Sequence, residues 1–373
     1  MKVICGKNAL VESINIASRA VSSKVAMPIL ECCLLTAEAG VGLKLTANDG
    51  EMAIETKPIE AEVVEGGAVA LDAGVFFDIV RRLPGKSVEI SCDDKNLTVI
   101  RSDKSEFKIL GMDGSDFPEM PVVLEEVGGG FTLPSVGLKN MIRQTIFSVS
   151  QDTSKPVLCG ELLEIVDGTV RLVSVDGFRI SLRKSDFEAG VTTGARVVIP
   201  GKALSEISKI LPTDGDATVS FFTQDNHILF EMGNCVVVSR LLEGEFINYE
   251  NMLVKEAETT IVVNRAEFLE SIERAALISR DTKKSPVKLK LEEGQIVITS
   301  NTEMGTSYEE VHAEQDGPGL EIAFNPRYIT DVLKVLECER IVMEFTSALS
   351  PCIIKVEDSD DYKYLVLPLR LRN

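Results

Sequence analysis

Between Leu133 and Gly160 the chain reads as a strand end, a helix, a polar loop and a proline that opens the next strand. Leu138, Met141, Ile142, Thr145, Ile146 and Val149 recur at the spacing of one helix face, and Lys139, Asn140, Arg143 and Gln144 fall on the other. Ser135 is the expected N-cap. The pattern occurs twice more. From Asn8 to Leu30 the apolar side is Leu10, Ile14, Ala17 and Val21. From Asn264 to Leu289 it opens with Asn264 and, three residues on, Glu267, a capping-box-like start. Leu10, Leu138 and Phe268 each stand 18 residues before a proline, namely Pro28, Pro156 and Pro286. A period of 128 to 130 residues is too long for a solenoid and predicts three similar domains.

Alternating strands with short turns follow each helix, and Asp49-Gly50 and Asp176-Gly177 occupy the same place in the first two repeats. A second helix then follows a short β run in each repeat. Aligned on Asp72, Pro200 and Asn325, its apolar positions agree: Phe76/Leu204/Ile329, Ile79/Ile207/Val332 and Leu83/Leu211/Leu336. One outer position is basic each time, at Arg81, Lys209 and Lys334. Linker-like segments near 122–130 and 251–258 divide the chain into expected domains 1–124, 125–253 and 254–373. The expected class is α+β, with two helices packed on antiparallel sheets in each domain.

At 373 residues each domain can bury its own core. No apolar run approaches the roughly 18 to 20 residues of a membrane span, so no membrane partner is expected. The N-terminus lacks the apolar region of a signal peptide. Eight scattered cysteines without a CxxC pair read as thiols of a reducing cytoplasm. Two histidines and no Cys/His cluster argue against a zinc site. The net charge of −19 favours solubility and, as a sum, argues against nucleic acid. Its distribution reverses that reading. The six helices with adjoining loops carry 18 Lys and Arg against 10 Asp and Glu, leaving 21 against 48 elsewhere. If the helices share a surface, that surface is basic. The competing reading is that lysine and arginine simply favour helices.

No catalytic constellation is evident. GxxxxGK[ST], GxSxG and HExxH are absent, and Asp93-Asp94 and Asp360-Asp361 sit in turn-like contexts. No enzyme activity, cofactor or metal is expected. Three equal domains with helices on one side suggest an arc whose end strands pair with a second arc, closing a ring. Basic helices lining such a ring would hold a polyanion through its phosphates, without reading sequence.

The chain resembles the bacterial DNA polymerase III beta subunit family, the sliding clamps, over essentially its whole length. The residues that carry the resemblance are MPIL at Met27 to Leu30, VDGFR at Val175 to Arg179, FINYENML at Phe246 to Leu253, FNPRYITDVL at Phe324 to Leu333, SALSP at Ser347 to Pro351 and YLVLPLRL at Tyr364 to Leu371. The resemblance implies three clamp domains per chain and a head-to-tail homodimeric ring of twelve helices. It also implies a ring that encircles duplex DNA without catalysis and tethers the replicative polymerase in the cytoplasm. It further implies an ATP-driven clamp loader and other replication and repair proteins that dock through a clamp-binding peptide.

Carried over residue by residue, the resemblance implies a peptide pocket of Leu158, Val175, Gly177, Phe178, Arg179, Ile180, Ile247, Asn251, Met252, Asn325, Tyr328, Leu349, Pro351, Leu365, Leu367, Pro368, Leu369, Arg370 and Leu371. Aliphatic walls would take hydrophobic anchors, with Arg179, Asn325 and Tyr328 orienting the peptide backbone. The bland alternative is that most of these aliphatics are ordinary core. Phe178 replaces a familiar histidine, Ile247 a common proline and Asn251 an arginine, so the wall should be more apolar and less positive. Two residues, Arg372 and Asn373, extend past Leu371. The DNA-facing candidates are Lys24, Lys155, Lys202, Arg280, Lys283 and Lys284 on loops, with Arg81, Arg82, Lys139, Arg143, Lys209 and Lys334 on helices; the alternative for each is a solvated surface charge. Phe107 and Ile109, with Leu277 and Ile278 at the opposite end, are the dimer-interface candidates, local core being the alternative. The competing function is a ring- or arc-shaped scaffold that gathers peptides without DNA. A hydrolase reading fails on the absent constellation.

Overall fold

A computed structural model describes residues 1–22, 27–121, 130–166, 168–186, 195–253, 256–279 and 286–370. Seven α-helices form among these residues: α1 Lys7–Ala17, α2 Ala73–Arg82, α3 Ser135–Thr145, α4 Gly201–Ile210, the single turn α5 Glu250–Leu253, α6 Arg265–Ala275 and α7 Pro326–Val335. The six long ones are the two predicted for each repeat.

Capping residues fix several starts. Asp72 accepts from Val75 N at 2.7 Å ahead of α2. Asn264 accepts from the amides of Ala266 and Glu267 ahead of α6. Asn325 accepts from Arg327 N ahead of α7, whose first residue is Pro326. Ser135 departs from expectation. It lies inside α3, its amide donates to Ala217 O at 2.8 Å, and its buried hydroxyl has no partner. Pro134 ends the preceding strand against the helix, so no residue there is free to act as a side-chain cap. The helix ends also fall earlier than the apolar stripe suggests. Val21 lies beyond α1, and Ile146 opens a 3-10 turn, Ile146–Ser148, after α3.

By its contacts the chain divides into two compact units, one mainly of Met1–Val136 and Glu206–Leu241, the other mainly of Gly137–Glu188, Thr193–Ser205 and Leu242–Asn373. The first holds a five-stranded sheet ending at Ser105–Leu110 and a nine-stranded sheet in which Met52–Thr56 pairs with Cys235–Arg240. The second holds a twelve-stranded sheet in which Arg179–Asp186 pairs with Tyr362–Val366. All these pairings are antiparallel. In the second unit Phe268, Ile272, Phe324, Ile329, Val332, Tyr362 and Tyr364 form one buried core between helices α6 and α7 and the sheet.

Candidate functional site

Two hairpin turns show how the repeat builds the site. Asp49 N donates to Met52 O, and the Asp49 carboxylate accepts from the amides of Glu51 and Met52. Asp176 N donates to Arg179 O, and its carboxylate accepts from the amides of Phe178 and Arg179. Gly50 and Gly177 both take φ +90°, which an L side chain resists, so the Asp-Gly pair specifies the turn. A neighbouring chain segment joins each turn in the same way: Arg240 N donates to Glu51 O at 2.9 Å and Leu367 N to Phe178 O at 2.8 Å. The scaffold is shared and the surface is not. Where the first turn exposes Glu51 and its neighbour Arg240, the second exposes Phe178 and its neighbour Leu367.

The second turn forms one wall of a cavity of about 450 Å³ lined by Val175, Gly177, Phe178, Arg179, Ile180, Ile247, Asn251, Met252, Pro351, Leu365 and Leu367. Beneath it Leu158, Leu162, Val173, Leu182, Val198, Phe246, Tyr249 and Leu253 make a buried apolar cluster with Val175, Ile180 and Leu365. The implied pocket residues thus divide. Eleven line this cavity, and Leu158 supports it from below. Asn325 caps α7, and the Tyr328 ring stands 6.3 Å from Phe178. Leu349, Leu369 and Arg370 are exposed, Pro368 is half-buried, and Leu371 lies outside the described residues.

Arg179 has a role the sequence did not show. It is only 6 % exposed. Its Nε donates to Asp176 at 2.8 Å, Nη1 to Asp331 at 2.7 Å and Nη2 to Phe147 O at 2.6 Å. Its guanidinium lies 4.5 Å from the Tyr328 ring centroid and 5.4 Å from that of Phe147. Burial opposes the charge, but Tyr364, Asp331 and Asp176 outweigh it and hold the pKa above the ordinary arginine value. With all three nitrogens engaged, Arg179 braces the wall of the cavity. The Asn325 side-chain oxygen caps α7, and the cap leaves its amide nitrogen as a donor. Asp176 and Asp331 were missed. The Asp-Gly turn signalled the first, while nothing in the sequence pointed to the second.

The basic candidates are largely paired. Arg82 meets Asp78 at 2.8 Å, Arg143 meets Glu337 at 2.7 Å, Lys209 meets Glu206 at 2.6 Å and Lys334 meets Glu273 at 2.7 Å. Arg81 donates to Asn15. Lys155 and Lys202 are exposed and Lys139 is half-exposed. Lys24, Arg280, Lys283 and Lys284 lie outside the described residues.

Among the strand edges of the described residues, two carry the interface candidates. Ser105–Leu110 ends the five-stranded sheet, with Phe107 exposed, Leu110 74 % exposed and Ile109 half-buried. In Gly305–Asp316 only Ala313–Asp316 pair with the strand Thr259–Asn264, so residues 305–312 have strand partners on one side only among the described residues. Met304, 76 % exposed, and the exposed Tyr308 flank that edge, with exposed Leu277 and half-buried Ile278 in the 3-10 turn Ala276–Ser279. Leu110, Met304 and Tyr308 were not anticipated. Leu110 and Tyr308 lie in edge strands and Met304 in the turn that precedes Gly305–Asp316.

The repeated α+β unit, the shared turn and the apolar cavity together define a protein of the DNA-clamp class, three clamp domains in one chain. Family models for the N-terminal, central and C-terminal domains of the DNA polymerase III beta subunit match residues 1–121, 132–248 and 250–370. The Beta sliding clamp of Halalkalibacterium halodurans is 37% identical over 382 residues, covering 99% of this chain and 100% of the relative. That of Bacillus subtilis is 35% identical over 380 residues, with 99% and 100% covered. The crystal structure of the Bacillus subtilis DNA polymerase sliding clamp superimposes with a TM-score of 0.95 at 34% identity, covering both chains fully. A putative DNA polymerase III beta subunit from Eubacterium rectale gives 0.95 at 38% identity, again over both chains. The chain belongs to the DNA polymerase III beta subunit family, the beta sliding clamps.

Proposed function

We propose that the protein is a DNA sliding clamp: two copies close head to tail around duplex DNA and tether the replicative polymerase, conferring processivity without catalysis. Family membership favours this over a peptide-gathering scaffold. The proposed clamp domains are 1–124, 125–253 and 254–373. A polymerase held on a topological link rebinds before it diffuses away, an effect of local concentration that needs no strong DNA contact. The basic helix residues named above are proposed to face the phosphates, and the apolar cavity to take the hydrophobic anchors of partner peptides. With Asn251 and Phe178 in its lining, that cavity is proposed to favour apolar anchors over acidic ones. An ATP-driven loader is proposed to open the ring, and a cytoplasmic location to follow from the work. No helix among the described residues is long and apolar enough to cross a membrane.

The observation that supports closure is the repeated strand register. In the first unit Ala47 pairs with Ile54, which pairs with Val237, which sits next to Phe230 on its own hairpin. In the second unit Ser174, Ser181, Tyr364 and Ile354 follow the same order. The third instance is present only as two halves, Ser300 paired with Ser307 and Ile100 paired with Phe107. Joining them between two copies sets Ser307 opposite Phe107 and Gly305 opposite Ile109. It completes both open edges, which would otherwise invite unregulated pairing. Light scattering tests this directly. A mass twice that of the 40.7 kDa chain is expected. A monomer at all accessible concentrations would exclude ring closure by two copies.

A further inference from the structure

The middle repeat carries a buried polar row that its neighbours lack. Cys33, Glu161 and Val287 are equivalent, since each pairs with the residue just before the start or cap of the second helix: Leu71, Ile199 and Phe324. All three lie in the core, and Glu161 is 0 % exposed. Seven residues past Leu10, Leu138 and Phe268 stand Ala17, Thr145 and Ala275, all fully buried. Only the middle repeat therefore places a carboxyl and a hydroxyl where the others place small or apolar groups.

Burial and the scarcity of partners set the carboxyl's state. Thr145 Oγ1 lies 2.9 Å from Met141 O and 2.9 Å from Glu161 Oε2. A threonine hydroxyl has one proton. Shared between Met141 O and Glu161 Oε2, that one proton gives the carboxyl at most a single hydrogen bond, too little to hold a buried charge, so the carboxyl is a neutral acid. Its other oxygen has no partner, which a carboxylate would tolerate far less well. The groups facing it are Thr145 from α3, Ser174 from the strand Thr169–Val175, beside it because Leu162 pairs with Val173, and Ile199 from Arg196–Pro200. None is charged. Burial pushes the Glu161 pKa up from an ordinary 4.5 to about 8, only partly offset by Thr145, and no charged side chain contributes.

The same end of α3 leads to the groove. Thr145 O accepts from Ser174 Oγ at 2.5 Å. Two residues on, Phe147 O takes the Nη2 proton of Arg179, and Ser148 Oγ meets Ser181 Oγ at 2.6 Å. We propose that Glu161 is a protonation switch for the groove wall: the neutral acid holds the end of α3, and loss of its proton frees Ile146–Ser148 and with it the Phe147 anchor of Arg179. The consequence for peptide binding rests on the function proposed above, whereas the switch itself is read without any ligand, so either can fail alone.

The sign follows from linkage. A carboxyl whose pKa is raised by folding stabilises the closed segment below its unfolded value and loses that contribution as pH rises through its folded value. Hydrogen exchange followed by mass spectrometry on the full chain, with rates divided by intrinsic rates, reads this at residues 141–150 and 176–182. Between about pH 6 and about 8, opening of both should become favoured roughly tenfold per pH unit and then level off. Glu161→Gln should abolish that slope. Should Glu161→Gln fail to fold, Thr145→Ala/Glu161→Val, which copies the third repeat, is expected to give the same flat profile. A slope that persists in either variant overturns the switch. A slope confined to 141–150 overturns its coupling to Arg179. An infrared spectrum at about pH 6 without a protonated-carboxyl band that Glu161→Gln removes would also overturn the neutral acid.

Discussion

Arg179 Nη1 donates to Asp331 Oδ2 at 2.7 Å, and this contact ties the turn at the groove's edge to helix α7. The pair is inward-facing, with Arg179 almost wholly enclosed. Removing one partner leaves a charge in a place that solvates it poorly. Asp331→Ala is expected to destabilise the second unit by roughly 3 kcal/mol. Urea unfolding followed by circular dichroism checks this; a loss within error of zero would show that Asp176 and the Phe147 carbonyl suffice.

The groove's apolar lining predicts how a peptide is held. Leu367→Ala and Ile247→Ala each remove aliphatic surface from the wall and should weaken a hydrophobic partner peptide by about 1–2 kcal/mol, leaving the oligomeric mass unchanged. Titration calorimetry measures the first and light scattering the second. Unchanged affinity in both variants would move the peptide elsewhere.

The strand register predicts an interface centred on Phe107. Phe107→Asp places a charge in an apolar contact between copies, and Leu277→Asp does so at the opposing end. Each should convert the dimer to monomers without lowering the melting temperature of the isolated chain by more than a few degrees, because both side chains are exposed in one copy. A dimer that persists in both variants would remove this edge from the interface.

Burial orders the thiols. It raises the pKa of Cys235 to about 12 and that of Cys5 to about 11, and pushes Cys33 and Cys352 up as well. At about pH 8 the thiolate of these four is scarce, so iodoacetamide should modify none of them until the chain unfolds. Cys92, partly exposed, should be alkylated in the native protein. Modification of Cys235 ahead of Cys92 would contradict the packing around the strand Cys235–Arg240.

The repeat and its helices were legible because they rest on local spacing. Leu138, Met141 and Ile142 are buried where a helical period puts them, and Asp49-Gly50 and Asp176-Gly177 are turns because few residues tolerate their backbone. The aliphatic groove residues became candidates only through family resemblance, since Leu365 and Ile180 look like any core leucine or isoleucine. What stayed hidden depends on partners distant in sequence. Glu161 shares its strand face with Leu163 and Ile165, but the hydroxyls of Thr145 and Ser174 that surround it come from other elements. Arg143 and Lys334 read as DNA-facing candidates, and the spacing does not show that Glu337 and Glu273 lie beside them. Local patterns cannot register such cross-element contacts.

Retention on DNA tests the central claim most directly. Loaded onto a nicked circular duplex with a clamp loader and ATP, the protein should stay bound through a high-salt wash and leave when a single restriction cut linearises the circle, because a closed ring slides off an end. Equal loss from circular and linear DNA under the same wash would show attachment by phosphate contacts alone and contradict encirclement.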